Sequence, residues 1–237
     1  MRLDQPSVVR LDVTEPGSLP PDRWPLTVPA VAQFVAKGLP LAPGVTFLVG
    51  DNGSGKSTLV EAAAAAYGLS PEGGTIHGQH STRATESPLG SLVHAQRGVG
   101  TRRWGFFLRA ETMHSWYTFS EQLGGPRFHE LSHGESFLAV VRHYLTGPGF
   151  YVLDEPEAAL SFEGTMGLMV TLTDVVAAGG QVLCATHSPI LAALPGATLL
   201  EVGDWGLREA SWDDLDLVRH WKTFFASPQN YLRHLAD

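Results

Sequence analysis

An apolar, β-branched run that stops at a glycine-rich turn and passes at once into a helical pattern leaves few folds open. Val45-Thr46-Phe47-Leu48-Val49-Gly50-Asp51-Asn52-Gly53-Ser54-Gly55-Lys56-Ser57-Thr58 is such a run. The helical pattern begins at Lys56, continues through Leu59-Val60-Glu61 and an alanine run, and stops at Gly68. It reads as strand, phosphate loop and helix. The pattern G-x-x-x-x-G-K-[ST] falls on Gly50, Gly55, Lys56 and Ser57, and each position has a job in holding a nucleoside triphosphate. Gly50, Gly53 and Gly55 let the backbone turn tightly with its N–H groups pointing inward, where the positive end of the following helix also attracts anions. Asp51, Asn52 and Ser54 fill the turn, and Thr58 follows Ser57 into the helix. Lys56 is expected to reach the β and γ phosphates, and Ser57 to place its hydroxyl on Mg²⁺.

The chain has 237 residues, enough to bury one sizeable core and long for one typical domain. Its balance of 43% hydrophobic and 17% charged residues is that of a globular protein. The formal net charge of −8 argues against a surface that coats nucleic acid broadly, while leaving room for a local basic groove. Cys184 is the only cysteine, so no internal disulfide can form; it lies in an apolar run where a buried, inert thiol is expected. The first residues carry no apolar signal core, and no later run has the length of a membrane span, so a cytoplasmic location is expected.

Residues 1–44 hold a strand near 7–13 and then a proline-punctuated fringe, with room for one or two helical turns at 31–37. Trp24, upstream of the phosphate loop, reads first as a packing tryptophan beside Pro25 and second as a ring for stacking adenine. From 68 to 103 the Gly, Ser, Thr and His content predicts loops and short strands, and His77 with His80 has no further ligand spaced around it for zinc. Residues 105–110 read as a strand and 112–130 as mixed helix and loop. Thereafter a helix over 132–145, a strand over 150–154, a helix within 157–178, a strand over 181–185, a hairpin over 199–210 and terminal amphipathic helices follow. Strands alternating with helices predict an α/β fold around a largely parallel, twisted sheet.

Phe150-Tyr151-Val152-Leu153 leads into Asp154-Glu155-Pro156. A buried strand ending in two acids places them at the carboxyl edge of the sheet, where the phosphate loop also opens. Asp154 then suits Mg²⁺, and Glu155, pointing the other way, suits orienting and activating the attacking water. The strand Leu183-Cys184-Ala185-Thr186 ends in His187, placed to hydrogen-bond a γ-phosphate or that water. In Leu131-Ser132-His133-Gly134-Glu135, Ser132 and Glu135 form a capping box ahead of an apolar helix, and a serine and a glycine at a helix start form an anion site.

Together these residues resemble an ATP-binding-cassette ATPase. The phosphate loop, a signature of the L-S-G-G-Q kind (here LSHGE), the acid pair before Pro156, the loop Ala158-Ala159-Leu160-Ser161 and the switch histidine His187 occur in that family's order. The resemblance implies a P-loop cassette with a central, largely parallel sheet, peripheral antiparallel strands and a small helical subdomain. The expected division is a single ATPase domain over 1–237, its core at about 1–68 and 147–237 and its helical subdomain at about 105–146. It further implies ATP and Mg²⁺ as ligands and a homodimer sandwiching two ATP molecules. Each ATP would be held by Gly50 to Thr58, Asp154 and His187 of one chain and by Ser132 and Gly134 of the other.

DEPEAALS and THSP are similar in style to the soluble SMC, RecF and overcoming-lysogenization-defect groups and to small stand-alone bacterial ATPases, more than to transporter subunits. The expected function is therefore an ATP-driven dimer switch in nucleic-acid maintenance or defence, with an ATP-binding subunit docked on a membrane protein as the alternative. The acidic total weighs against the first and the signature details against the second. His133 and Glu135 replace the signature's usual glycine and glutamine, and either Glu111 or Arg109 falls where the family's Mg²⁺-sensing glutamine follows its strand. About seventy residues separate Lys56 from the signature; at about 1.5 Å per helical residue, that is too short for a long coiled-coil arm. A competing H-E-x-x-H pattern at His129-Glu130-Leu131-Ser132-His133 would mark a zinc protease, but that chemistry needs both histidines on one continuous helix, and a helix cap at Ser132 would leave His129 in the preceding loop.

Overall fold

The computed structural model describes residues 6–71, 73–76, 87–101, 103–110, 113, 121 and 133–233. A seven-stranded sheet forms the centre. Its strands are β3 (Val45–Val49), β4 (Gly74–Thr75), β6 (Gly105–Arg109), β7 (Phe150–Asp154), β8 (Gln181–Thr186), β9 (Thr198–Gly203) and β10 (Gly206–Glu209), in the order β10-β9-β3-β8-β7-β6-β4. The five strands from β9 to β6 run parallel, and β10 and β4 close the two edges antiparallel. A second, antiparallel sheet holds β1 (Val8–Val13) between β2 (Leu39–Pro40) and β5 (Val93–Arg97). This is the α/β fold with a largely parallel central sheet and peripheral antiparallel strands expected of the sequence.

The inner strands β3, β7 and β8 are buried on both faces, which is why they read as largely apolar runs. Successive side chains divide between two cores. Phe47, Val49, Phe106, Leu108, Tyr151, Leu153, Val182 and Cys184 face one side, where α3 (His133–Tyr144) and α4 (Phe162–Ala177) pack. Leu48, Phe107, Phe150, Val152, Leu183 and Ala185 face the other, under α1 (Pro29–Lys37), α2 (Lys56–Tyr67) and the small sheet. Cys184 is fully buried, and burial pushes its thiol well above the ordinary range, as suits an inert core residue.

The helix α1 begins two residues earlier than expected, because Pro29 takes the first helical position, where its missing N–H costs nothing. Strand β6, at the start of the stretch expected as a helical subdomain, belongs to the central sheet and pairs with β7. Most of the chain between β6 and α3 lies outside the described residues, as do His77, His80, Glu111, His129, Glu130, Leu131 and Ser132. The helix α3 begins at His133 and carries Glu135 in its first turn. Trp24 is 53% exposed and so does not pack as first expected; the turn that carries it runs on to Val28 at the phosphate loop.

One buried side chain ties the two sheets together. Gln181, at the start of β8, accepts from Val8 N at 2.8 Å and donates through Nε2 to the carbonyls of Val8 and Ala42, each at 2.9 Å. Leucine in its place would orphan three buried backbone groups, at a cost of about 2–4 kcal/mol. The expected result for Gln181→Leu is a fall in Tm of about 5–10 °C by calorimetry. An unchanged Tm would show that the two sheets are held by apolar packing alone.

Candidate active site

The carboxyl ends of β3, β7 and β8 meet at one edge of the sheet, and each delivers its predicted residues there. After β3 the chain turns through Gly50 to Gly55 and enters α2 at Lys56. A side chain at Gly50 would strike the Val202 carbonyl at 2.2 Å, so only glycine lets the loop leave the sheet there. Gly55 has φ of 101° and would press a Cβ to 2.8 Å from Val28, so it too is held to glycine.

Lys56 is 2% exposed, with its Nζ donating to the Asp51 carbonyl at 2.8 Å and standing 3.8 Å from Glu155 Oε1. Burial draws its ammonium below the ordinary lysine range, and Glu155, Asp154, Glu157 and Asp51 oppose that shift. Ser57 donates from Oγ to Asp154 Oδ1 at 3.0 Å. The other carboxylate oxygen, Oδ2, is 3.6 Å from Arg109 Nε, and Arg109 in turn pairs with Glu61 at 2.7 Å. The register explains the contact, since Arg109 and Asp154 are partners on adjacent parallel strands.

Asp154 is 6% exposed, and burial pushes its carboxyl up to about 6, against the pull of Arg109 and the Ser57 hydroxyl. A carboxyl raised in the folded state contributes stability that is complete below its unfolded value near 3.8 and is lost as pH rises through about 6. At neutral pH the ionised Asp154 therefore costs the nucleotide-free fold free energy, of order 2 kcal/mol once the lost Arg109 contact is offset. Asp154→Asn is expected to raise Tm by about 4–8 °C at pH 7.5 without nucleotide, with the gain gone at pH 4. A variant that is less stable at pH 7.5 would show that the Arg109 pair outweighs the burial cost.

Glu155 follows with φ of 47° and ψ of 52°, the one left-handed non-glycine residue among those described. Its N–H donates to the Ala185 carbonyl at 3.0 Å, fastening the end of β7 to β8. His187 Nδ1 lies 3.6 Å from Glu155 Oε1 and 3.8 Å from Glu157 Oε1. The phosphate loop, Asp154, Glu155 and His187 are thus brought together. Gly134 is elsewhere, at the start of α3, where a Cβ would lie 3.5 Å from the Ala159 carbonyl of the loop after β7.

Mg²⁺ and a triphosphate fit these residues. Ser54 Oγ and His187 Nδ1 are buried without a hydrogen-bond partner, the loop needs glycine where a backbone must approach an anion, and a hydroxyl stands beside a carboxylate as Mg²⁺ requires. Reading the sequence did not single out Glu157 or the Arg109–Asp154 contact. The signals present were a third acid in Asp154-Glu155-Pro156-Glu157 and an arginine closing an apolar strand.

Strand, phosphate loop, helix and acid pair at one edge of a parallel sheet define a P-loop nucleotide-binding domain. The family described as ABC transporter matches residues 41–158. The cytochrome c biogenesis ATP-binding export protein CcmA of Salmonella typhi is 31% identical over 169 residues, which cover 63% of this chain and 77% of that protein. The chain belongs to the ATP-binding-cassette (ABC) family. A metal-chelate type ABC transporter in an inward-facing conformation is similar in structure with a TM-score of 0.49 and 15% identity, over 81% of this chain and 83% of that one. An SMC head domain from Thermotoga maritima gives 0.41 and 13%, over 73% and 92%.

Proposed function

We propose that this chain binds and hydrolyses ATP as the energising subunit of a membrane transporter. The observation that carries the reading is the match to CcmA, an ATP-binding export protein, over most of that protein's length, joined to an assembled site at the sheet edge. It favours the transporter alternative over nucleic-acid maintenance, the function first expected from the style of the motifs. Among the described residues no helix is long and apolar enough to cross a membrane.

In this reading the backbone N–H groups of the 50–55 turn and the first turn of α2 cradle the phosphates, and Lys56 neutralises their charge. Ser57 and Asp154 hold Mg²⁺, which when bound neutralises charge on the β and γ oxygens. Glu155 accepts the proton of the attacking water, and His187 hydrogen-bonds the γ-phosphate. Two copies face each other, with Ser132 and Gly134 of one closing on the nucleotide of the other. The helix α3 carries the Gly134 end of this signature.

The test is sedimentation of Glu155→Gln, loaded with Mg-ATP, with inverted membrane vesicles of the host. Saturable binding that is lost when the vesicles are first treated with protease supports the transporter reading. Retention in the supernatant, together with DNA binding that weakens steeply with salt, contradicts it and restores the soluble switch.

A further inference from the structure

Glu157 is the third acid after β7, and its carboxylate lies at the tip of β8. Its side chain is only 10% exposed. Oε1 accepts two short hydrogen bonds, from Thr186 Oγ1 at 2.6 Å and from the backbone N–H of His187 at 2.7 Å. The Thr186 hydroxyl accepts in turn from Ser188 N at 3.0 Å. One carboxylate oxygen therefore orders three consecutive residues at the end of β8, with His187 in the middle.

The geometry that brings Glu157 there is itself costly. Left-handed backbone at Glu155, a residue with a Cβ, carries about 1–2 kcal/mol of strain. It starts the turn Pro156–Ala159 that carries residue 157 back beneath β8. The second carboxylate oxygen, Oε2, is buried with no hydrogen-bond partner. Strain and an unsatisfied buried oxygen together are an expensive way to end a strand, and neither is needed to close the sheet, since Glu155 N already bonds the Ala185 carbonyl.

We infer that Glu157 is a positioning residue for ATP hydrolysis, clamping the Thr186–Ser188 tip of β8 to the turn after Glu155 so that His187 and Glu155 stay at one spacing. The inference rests on the reading of Glu155 and His187 as hydrolytic residues. Both ends of the clamp matter to that spacing. The turn fixes where the Glu155 carboxylate points, and the His187 peptide fixes where the imidazole starts. With Nδ1 buried against the two carboxylates, the ring presents its other edge outward, which accounts for a side chain that is 41% exposed while Nδ1 is covered. Residues that orient a reacting group through a hydrogen bond are typically worth 10–100-fold when removed.

The test compares Glu157→Ala with Glu157→Gln, whose amide oxygen can still accept from Thr186 and from His187 N. For Glu157→Ala we expect kcat for ATP to fall about thirtyfold with KM within about twofold. For Glu157→Gln we expect kcat within about threefold of wild type. Amide hydrogen exchange over residues 186–188 in the nucleotide-free protein gives a readout independent of turnover: about tenfold faster in Glu157→Ala and close to wild type in Glu157→Gln. Wild-type kcat or unchanged exchange in Glu157→Ala would overturn the proposal. So would a glutamine variant as impaired as the alanine one. Failure of the underlying reading looks different, because Glu155→Gln would then hydrolyse ATP normally whatever Glu157 does.

Discussion

Lys56→Ala is expected to lower the affinity for Mg-ATP by about a hundredfold or more. The ammonium is almost wholly buried, its Nζ is held by the Asp51 carbonyl at the mouth of the loop, and Glu155 is 3.8 Å away. Among the described residues it is the cation that the loop itself supplies, alongside neutral N–H donors. Without it, Asp51, Asp154 and Glu155 would stand beside a polyanion with the helix start as counter-charge among the described residues, since Arg109 is engaged by Glu61 and Asp154. Calorimetric titration with a slowly hydrolysed ATP analogue reads the effect. An affinity within a few-fold of wild type would mean that the phosphates do not lie where this loop places them.

Glu155→Gln is expected to have a different signature. The amide keeps the size of the side chain and the left-handed backbone of the residue, so Mg-ATP affinity should stay within about threefold. Hydrolysis should fall by about 10²–10⁴ because no base remains beside the attacking water. His187, 3.6 Å from Glu155 Oε1, does not replace it in this account, since its ring is held between two acids and reaches the γ-phosphate. Single-turnover hydrolysis separates the chemical step from product release. Wild-type turnover in this variant would remove Glu155 from the mechanism.

The parts of the site that were legible in the sequence are those whose chemistry lies within a few adjacent residues. Gly50 to Thr58 must be contiguous, because one turn cradles the phosphates, and Asp154 and Glu155 must end a strand, because the sheet edge is where the turn opens. The unbroken apolar runs of β3, β7 and β8 gave both their strand character and their double-sided burial. Strand β5 was hidden because Val93-His94-Ala95-Gln96-Arg97 alternates buried with exposed residues, and its apolar positions are few. Its partner β1 is some eighty residues away, a distance no local pattern spans. Glu157 escaped notice for a related reason: its partners lie 29 and 30 residues on and include a backbone N–H, which no residue type announces. Arg109 meets Asp154 only through the register of two neighbouring strands.

The exposed Trp24 shows the limit of a type-based expectation. Tryptophan usually packs, yet here the proline-rich fringe turns it outward at the approach to the phosphate loop. Gly134 lies at the start of α3 beside Ala159, while the phosphate loop of the same chain is served by β7 and β8. An arrangement that keeps a helix-start glycine apart from its own nucleotide site is what a site completed by a second copy needs.

Whether a second copy completes the site is read from the native mass of Glu155→Gln by light scattering, with and without Mg-ATP. The expected result is a monomer that becomes a dimer only when Mg-ATP is present, and returns to monomer when Lys56→Ala is added. A mass that stays at the monomer value with saturating Mg-ATP would contradict it, and would mean that the signature of this chain does not close on the nucleotide of a second copy.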